Sequence, residues 1–336
     1  MGGDFAPRAT IAGALHALAE LAGEHVVQLI GQPKIIENEL AELLNGDLPQ
    51  GAHLRDRISV VDAPDTISMS DKPTAALRGD SNNPMSVGLR LQAEHASDAF
   101  VSAGNTGAQM AVSALLLGRH VGLIRPAIAT LFPTALRPIV VIDSGANVDS
   151  SANELVQFAW LGSVYAEYVL GRERPVVGLL SIGEEKEKGN ATTKAAYSLF
   201  ERAGFNFQGN VEGRDLPAGA SDRGPIDVVV CDGFVGNVVL KFYEAVMPMI
   251  VALLTADPSF DNAALEAALG PLDSTSYGGA PLLGVKGVSI ICHGNSSPRA
   301  IKNAVKVAVR AVETKMNERI EERLMQTANS LSGRVA

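Results

Sequence analysis

The chain has 336 residues, of which 46% are hydrophobic and 19% are charged, and its net charge at pH 7 is −9. This length and apolar content predict a sizeable core, and an aromatic content of 5% argues against an all-β sandwich. Basic residues form no run longer than a pair, so the sequence excludes the extended basic patch that nucleic-acid binding requires.

The two cysteines, Cys231 and Cys292, are far apart, whereas metal and redox motifs place cysteines in close pairs. Both are therefore expected to be reduced thiols in the core of a cytoplasmic protein. The first residues lack the pattern of a signal peptide, and no apolar run reaches about 18 residues, so the sequence predicts a soluble protein.

Along the chain, a β-branched apolar run is repeatedly followed by a glycine-containing turn and a helical period. These runs are residues 25–31, 99–104, 139–145, 176–183, 227–233 and 288–294. Continuous apolar runs are typical of strands buried on both faces, as in a mainly parallel sheet. With helices as right-handed crossovers between the strands, the sequence predicts one doubly wound α/β/α sandwich domain over residues 1–336.

One segment, residues 242–276, departs from this alternation because it is apolar and acidic and contains three prolines. It predicts two short helices joined by a turn at residues 256–258. Its apolar part is predicted to be too short to cross a bilayer, since Pro248 interrupts it. A core or dimer-interface stripe is predicted at Met247, Ile250, Val251 and Leu254.

Three loops at the predicted strand ends are rich in glycine and asparagine: residues 102–108, 143–149 and 232–238. Ligands of an open parallel sheet bind beyond the carboxyl ends of its strands, where helix amino termini favour anions. The charged residues 184–190 add to the same edge. Neither a Gly-x-Gly-x-x-Gly nor a Gly-x-x-x-x-Gly-Lys-Ser/Thr motif occurs, which argues against a dehydrogenase or a nucleoside triphosphatase.

In order and spacing, these loops resemble the PlsX family of bacterial phosphate acyltransferases. The matching segments are residues 1–7, 102–108, 118–119, 125–127, 143–149, 188–190, 209–215, 232–237, 277–280 and 293–294. The family pattern has a short strand before the Met-Gly-Gly-Asp turn, whereas this sequence begins at Met1. Residues 78–85 are also less basic than the family's equivalent, so Arg78 alone is carried over.

The resemblance implies transfer of a fatty acyl group from acyl carrier protein to inorganic phosphate, which yields an acyl phosphate for phospholipid biosynthesis. It implies a fold related to phosphate acetyltransferases and isocitrate dehydrogenases, and a cytoplasmic homodimer with no cofactor or metal. It further implies peripheral contact with the inner face of the cell membrane, and glycerol-3-phosphate acyltransferase is a candidate partner. Two alternatives stay open: a coenzyme A-dependent phosphate acyltransferase and a non-catalytic scaffold for lipid enzymes.

Phosphate is a nucleophile near neutral pH and a thiol is a good leaving group, so this reaction needs positioning and oxyanion stabilisation more than a catalytic triad. Lys188 and Asn237 are the predicted catalytic residues. Lys188 holds phosphate or stabilises the oxyanion, and Asn237 donates a hydrogen bond to the thioester carbonyl. The predicted substrate and phosphate site consists of Gly2, Gly3, Asn105, Thr106, Gly107, Gly145, Ala146, Asn147, Gly233 and His293. Within it, backbone N–H groups of residues 105–107 and 145–147 form the phosphate cradle, and a purely structural role for His293 stays open.

The last segment, residues 298–327, predicts one long amphipathic helix. A basic stripe on its surface is predicted to dock the acidic carrier protein, because the four residues are spaced three, four and four apart. The stripe consists of Arg299, Lys302, Lys306 and Arg310. The alternative is an ordinary solvated helix face.

Overall fold

A computed structural model describes residues 2–46, 51–77, 81–255, 269–272 and 277–332. The chain divides into two compact units, each made of alternating helices and strands. Unit 1 comprises residues 1–118 and 277–313, and unit 2 comprises residues 119–276 and 314–336. The single domain over residues 1–336 therefore stays a prediction.

Unit 1 contains two groups of strands with helices beside them. Its helices are α1 (Arg8–Glu20), α2 (Pro33–Asn45), α3 (Pro84–Ala93), α4 (Thr106–Leu116) and α9 (Pro298–Glu313), with elements numbered in chain order. Its strands are β1 (Val27–Gly31), β2 (Ile58–Asp62), β3 (Ala99–Ser102), β11 (Ala280–Leu283) and β12 (Val288–Ile291). Strands β1 and β2 pair in parallel, β3 pairs with β12 in parallel, and β12 pairs with β11 in antiparallel orientation.

Unit 2 has strands in the order β4-β5-β10-β6-β7 and a small hairpin, β8-β9. The strands are β4 (Ala127–Phe132), β5 (Ile139–Ile142), β6 (Val176–Leu180), β7 (Asn206–Val211), β8 (Ala220–Ser221), β9 (Gly224–Pro225) and β10 (Val228–Val230). The helices are α5 (Ala152–Val164), α6 (Ala191–Ala203), α7 (Asp215–Ala218), α8 (Gly233–Thr255) and α10 (Met316–Ser332). Strands β5, β10, β6 and β7 are parallel to one another, and β4 is antiparallel to β5.

The prediction of a mainly parallel α/β fold is confirmed, and each of the six predicted apolar runs contains a strand. Among the described residues, six further strands were not predicted: β2, β4, β7, β8, β9 and β11. Of these, β4 and β11 pair in antiparallel orientation with predicted strands, and β8 and β9 form the small hairpin. Strand β7 begins Asn-Phe-Gln-Gly-Asn and interrupts its apolar pattern with polar side chains, so periodicity alone does not distinguish it from a loop.

Side-chain caps fix where several helices begin after a strand. Asn83, Asn105 and Asn190 each accept a hydrogen bond from a backbone N–H in the first turn of α3, α4 and α6. Ser151 and Glu154 form a reciprocal capping box at the start of α5. Such caps hold the strand-to-helix turns of the predicted site in defined positions.

Two helix predictions need correction. Helix α8 begins at Gly233 and runs for 23 residues through Pro248, so the apolar segment is longer than predicted and the proline does not end it. By length and composition alone it is long enough to cross a membrane. The predicted turn at 256–258 lies outside the described residues. The long terminal helix is in fact two helices, α9 and α10, which are separated at Lys315, whose φ of 54° is left-handed.

Beside Gly2, unit 1 contains a cavity of about 380 Å³. Residues of β1 and β3 line two of its sides, while side chains of α1, α3 and α9 complete its walls.

Both cysteines are buried, as predicted, and neither forms a disulfide. Burial raises the pKa of Cys292 to about 12 and that of Cys231 well above its ordinary value, with Asp143 and Asp232 adding to the latter shift. Neither group is therefore an activated nucleophile.

Candidate active-site loops

In unit 1 the predicted residues at the amino terminus pack against two strand ends. A methyl group at Gly2 would lie 3.1 Å from Cα of Gly104, just beyond β3, and one at Gly3 would lie 2.8 Å from the carbonyl oxygen of Gly294, beyond β12. Gly3 also has a φ of +100°, which favours glycine. The Asp4 N–H donates to the Gly294 carbonyl at 2.7 Å. Backbone contact of this closeness leaves room only for glycine.

The side chain of Asn105 is used entirely to shape its loop. Its Oδ1 accepts from the Ala108 N–H at 3.0 Å, and its Nδ2 lies 3.3, 3.1 and 3.0 Å from three carbonyl oxygens, those of Ser68, Met69 and Asp71. The Asn105 side chain therefore holds the loop in place, and a phosphate-binding role for its backbone N–H stays a prediction.

The neighbouring residues Thr106 and Gly107 occupy the first two positions of α4. Backbone N–H groups at these positions have no acceptor within their own helix, so the predicted phosphate role fits them best among residues 105–107. His293 follows β12, is exposed, and its carbonyl accepts from the Ser296 N–H at 3.0 Å. A role for the His293 imidazole in the reaction stays a prediction.

In unit 2 the carboxylate of Asp143, which directly follows β5, organises the next loop. It is 0% exposed and accepts hydrogen bonds from the backbone N–H groups of Ile128, Gly145, Ala146 and Asn147 at 2.7–3.1 Å, and from Asn147 Nδ2 at 2.9 Å. Burial raises the pKa of Asp143 above its ordinary value, while these donors act in the opposite direction. The apolar run before Asp143 predicts the strand, but local sequence does not predict that its carboxylate is the acceptor for this loop.

The hydrogen bonds to Asp143 change the interpretation of the second phosphate loop. All three backbone N–H groups predicted to bind phosphate, at Gly145, Ala146 and Asn147, already have the carboxylate as acceptor. A phosphate bound to these groups would compete with Asp143 for the same hydrogens. Phosphate binding by this loop therefore stays a prediction.

Asn237 lies on the first turns of α8, and the predicted loop at residues 232–238 is therefore mostly helical. The Gly233 N–H donates to the Asn147 carbonyl at 2.8 Å, which joins the start of α8 to the Asp143 loop. A methyl group at Gly145 would lie 3.4 Å from Oδ1 of Asn237, so these two residues are neighbours. Within the described part of the chain, the Asn237 amide has no hydrogen-bond partner.

Lys188 lies in the loop that follows β6, and β6 is the parallel neighbour of β10, which leads into α8. The side chain is exposed and its stem packs close to Gly183, because a methyl group there would lie 2.8 Å from Cγ of Lys188. Among the described residues, its ammonium group has no ion-pair partner. By contrast, Lys186 pairs with Glu201 and lies 5.2 Å from the ring centre of Tyr197, consistent with a surface role.

The predicted docking stripe on α9 is largely exposed, but its two lysines are engaged within unit 1. Lys302 and Lys306 place their Nζ atoms 2.6 and 2.8 Å from the carboxylate of Glu20 on α1. These hydrogen bonds lower the pKa of Glu20 to about 2. The opposite face, with Ile301, Ala304 and other buried side chains, packs inward as predicted.

The predicted residues thus form two groups, one in each unit. In unit 1, Gly2, Gly3 and the turns after β3 and β12 meet; in unit 2, the loops after β5 and β10 are in contact, and the loop after the adjacent strand β6 carries Lys188. Convergence of all the loops on one edge stays a prediction. Within the described residues, no three His, Cys, Asp or Glu side chains are grouped to hold a metal ion.

Comparison with known proteins identifies the family. The family model described as "Fatty acid synthesis protein" matches residues 1–319. The chain belongs to this family. A "Phosphate acyltransferase" of Desulforamulus reducens is 46% identical over 333 residues, which cover 96% of this chain and 95% of that one. A "Phosphate acyltransferase" of Desulfitobacterium hafniense is 44% identical over 334 residues, which cover 96% of this chain and 95% of that one. The predicted family and the predicted enzyme class, an acyltransferase, are confirmed.

Solved structures agree on the fold. A phosphotransacetylase from Streptococcus pyogenes superposes with a TM-score of 0.55 at 13% identity, over 90% of this chain and 98% of that one. The EutD phosphotransacetylase of Staphylococcus aureus gives a TM-score of 0.53 at 14% identity, over 90% and 99%. At this level of identity the likeness concerns the fold alone, and it matches the predicted relation to phosphate acetyltransferases.

The contact between α8 and the Asp143 loop can be tested at Gly236, where a methyl group would lie 1.9 Å from the Asp143 carbonyl oxygen. Gly236→Ala is expected to lower the free energy of unfolding by about 1–3 kcal/mol through overpacking, although alanine is the better helix former. Urea unfolding measures the change. In the control, Gly213→Ala, the new methyl meets no atom within 4 Å, so a change below about 0.5 kcal/mol is expected. Equal losses in both variants would contradict the contact.

Proposed function

We propose that this protein transfers a fatty acyl group from acyl carrier protein to inorganic phosphate. An oxygen of hydrogenphosphate attacks the thioester carbonyl carbon, the carbon–sulfur bond breaks, and the proton of hydrogenphosphate passes to the departing thiolate. The products are an acyl phosphate and the free carrier thiol. Membership of the phosphate acyltransferase family supports this reaction.

The site assignment rests on two polar groups of unit 2 that have no hydrogen-bond or ion-pair partner among the described residues. Among described residues, the ammonium of Lys188 and the amide of Asn237 lack protein partners, and they follow the adjacent parallel strands β6 and β10. A cation suits phosphate or the oxyanion of the tetrahedral intermediate, and an amide N–H suits the thioester oxygen. Lys188 and Asn237 are accordingly assigned these two roles.

The test is the release of thiol from acyl carrier protein thioester, with and without phosphate. We expect phosphate-dependent release, slowed by about 10²-fold in Lys188→Ala and in Asn237→Ala, as is typical when one oxyanion donor is lost. Lys186→Ala is the matched control because that lysine is already paired, and it should keep near-normal turnover. Normal turnover in both site variants would reject the assignment. Preferential use of a coenzyme A thioester in the same assay would favour the alternative donor.

For the carrier protein, we propose that it docks on the basic stripe of α9. Glu20 neutralises part of this stripe, because one carboxylate accepts from both Lys302 and Lys306. The Lys306–Glu20 pair is nevertheless exposed on both sides and therefore weak, so an acidic partner can compete for Lys306. Complementary charge would also offset the net charge of −9 that this enzyme brings to the encounter.

The double variant Lys302→Glu/Lys306→Glu should raise KM for the carrier thioester by about tenfold, equivalent to about 1.4 kcal/mol, with little change in KM for phosphate. Glu20→Gln removes the competing carboxylate and should lower KM for the carrier. Both effects should weaken as salt is added, since the charges are exposed. An unchanged KM with unchanged salt dependence in the double variant would remove the stripe from the docking site.

We further propose a cytoplasmic homodimer that contacts the membrane peripherally, through the second half of α8. The first half packs on the core of unit 2 through Val235, Val239 and Tyr243. Beyond it, Met249 and Leu253 are 54% and 67% exposed, whereas three of the four predicted stripe residues, Met247, Ile250 and Leu254, are partly buried. The core or dimer-interface stripe stays a prediction, and the exposed residues Met249 and Leu253 could be covered by lipid or by a second copy of the chain.

Co-sedimentation with vesicles of neutral and anionic phospholipid distinguishes lipid contact from a subunit interface. No lysine or arginine occurs between Lys241 and Lys286, so lipid contact should be hydrophobic and survive high salt. Met249→Asp and Leu253→Asp should abolish co-sedimentation, whereas Leu136→Asp, at an equally exposed position elsewhere in unit 2, should not. Binding that disappears with salt would contradict lipid contact. Loss of the dimer in light scattering would assign the same surface to a subunit interface.

A further inference from the structure

The loop that carries Lys188 is tethered from the neighbouring strand β7. Asn210 on that strand is 1% exposed, and its Nδ2 donates to the carbonyl oxygen of Glu185 at 2.8 Å. The same carbonyl accepts from the backbone N–H of Lys188 at 3.0 Å. One carbonyl oxygen therefore connects the buried asparagine directly to the main chain of the lysine.

A second tether runs parallel to the first. Arg223 donates from Nη1 to the Gln208 carbonyl at 2.8 Å and from Nη2 to the Glu184 carbonyl at 3.2 Å. Its guanidinium passes over Gly209, where a methyl group would lie 2.0 Å from Nη1. The peptide units at Glu184 and Glu185 are thus both held from the side of β7.

These tethers matter because the loop has little packing of its own. Residues 185–188 are all exposed, so hydrogen bonds to the main chain define where the Lys188 side chain begins. The Asn210 side chain makes no other hydrogen bond among the described residues, because its Oδ1 is buried and has no donor there. Burying an asparagine costs free energy when its amide is only partly hydrogen-bonded, and an apolar residue at this position of β7 would avoid that cost. The one described side-chain hydrogen bond of Asn210 reaches the Lys188 loop.

We propose that Asn210 is a positioning residue that fixes the main chain of Lys188 through the carbonyl of Glu185. The inference rests on the role proposed above for Lys188. Asn210 does not itself touch the substrates. Instead, its hydrogen bond holds the Lys188 ammonium group at the correct distance from the reacting atoms. Misplacing a catalytic group by about 1 Å can lower the rate by up to about 10²-fold.

The experiment is a double-mutant cycle between Asn210→Leu and Lys188→Ala, with kcat and KM for phosphate and for carrier thioester measured in all four proteins. Leucine is larger than asparagine but branches at the same carbon, and it removes a buried oxygen that has no described partner, so a folded variant is expected. Asn210→Asp, which keeps the shape but replaces the donor, is the second variant. Asn206→Leu is the control, because that asparagine is also on β7 but its side chain donates to the Arg174 carbonyl and not to the Lys188 loop.

We expect Asn210→Leu to lower kcat/KM by roughly ten- to a hundred-fold. Whichever constant Lys188→Ala changes, kcat or one of the two KM values, Asn210→Leu should change the same one. The loss should disappear in the Lys188→Ala background, since the two residues act as one unit. Asn206→Leu should stay near wild type in the native background and should leave the activity of Lys188→Ala unchanged. Additive losses, or normal turnover of folded Asn210→Leu or Asn210→Asp, would overturn the proposal. Normal turnover of Lys188→Ala would instead remove the catalytic role on which it rests, and with it the proposal.

Discussion

Full burial of the Asp143 carboxylate sets the geometry of the loops in unit 2. An ion removed from water is tolerated only when its oxygens are hydrogen-bonded, and here five N–H groups supply that replacement. Four of the five come from consecutive residues of one turn, so the loop wraps around its own first residue. The fifth comes from Ile128 on β4, which ties the turn to the neighbouring antiparallel strand.

The same turn fixes the position of the start of α8. The Asn147 carbonyl accepts from Gly233, and the main chain of Asp143 comes so close to Gly236 that no side chain fits between them. Asn237 is thereby placed beside Gly145. At about 1.5 Å per residue, the exposed apolar end of the same helix lies about 20 Å away. A single helix thus carries a proposed catalytic amide at its packed end and an apolar surface at its other end.

The lysines show why charge patterns in a sequence need the structure to be interpreted. Lys186 and Lys188 are two residues apart in one charged loop, yet one is paired with Glu201 and the other has no described partner. On α9, helical spacing predicted the basic stripe, but not that a carboxylate on α1 would accept from both of its lysines. Ion pairs between distant segments depend on which helices pack together, and local spacing carries no information on that.

The sequence alone determined the α/β class, the positions of six strands and the loops at their carboxyl ends, because continuous apolar runs and glycine turns are local properties of the chain. It also determined the family, whose segments extend over nearly the whole chain. Only the tertiary structure decided that the N–H groups of residues 145–147 serve Asp143, that the Asn105 side chain holds its loop in place and that Asn210 reaches the Lys188 loop. These outcomes depend on which donors and acceptors, distant in sequence, are buried together, and a buried polar group takes the partner that folding brings to it.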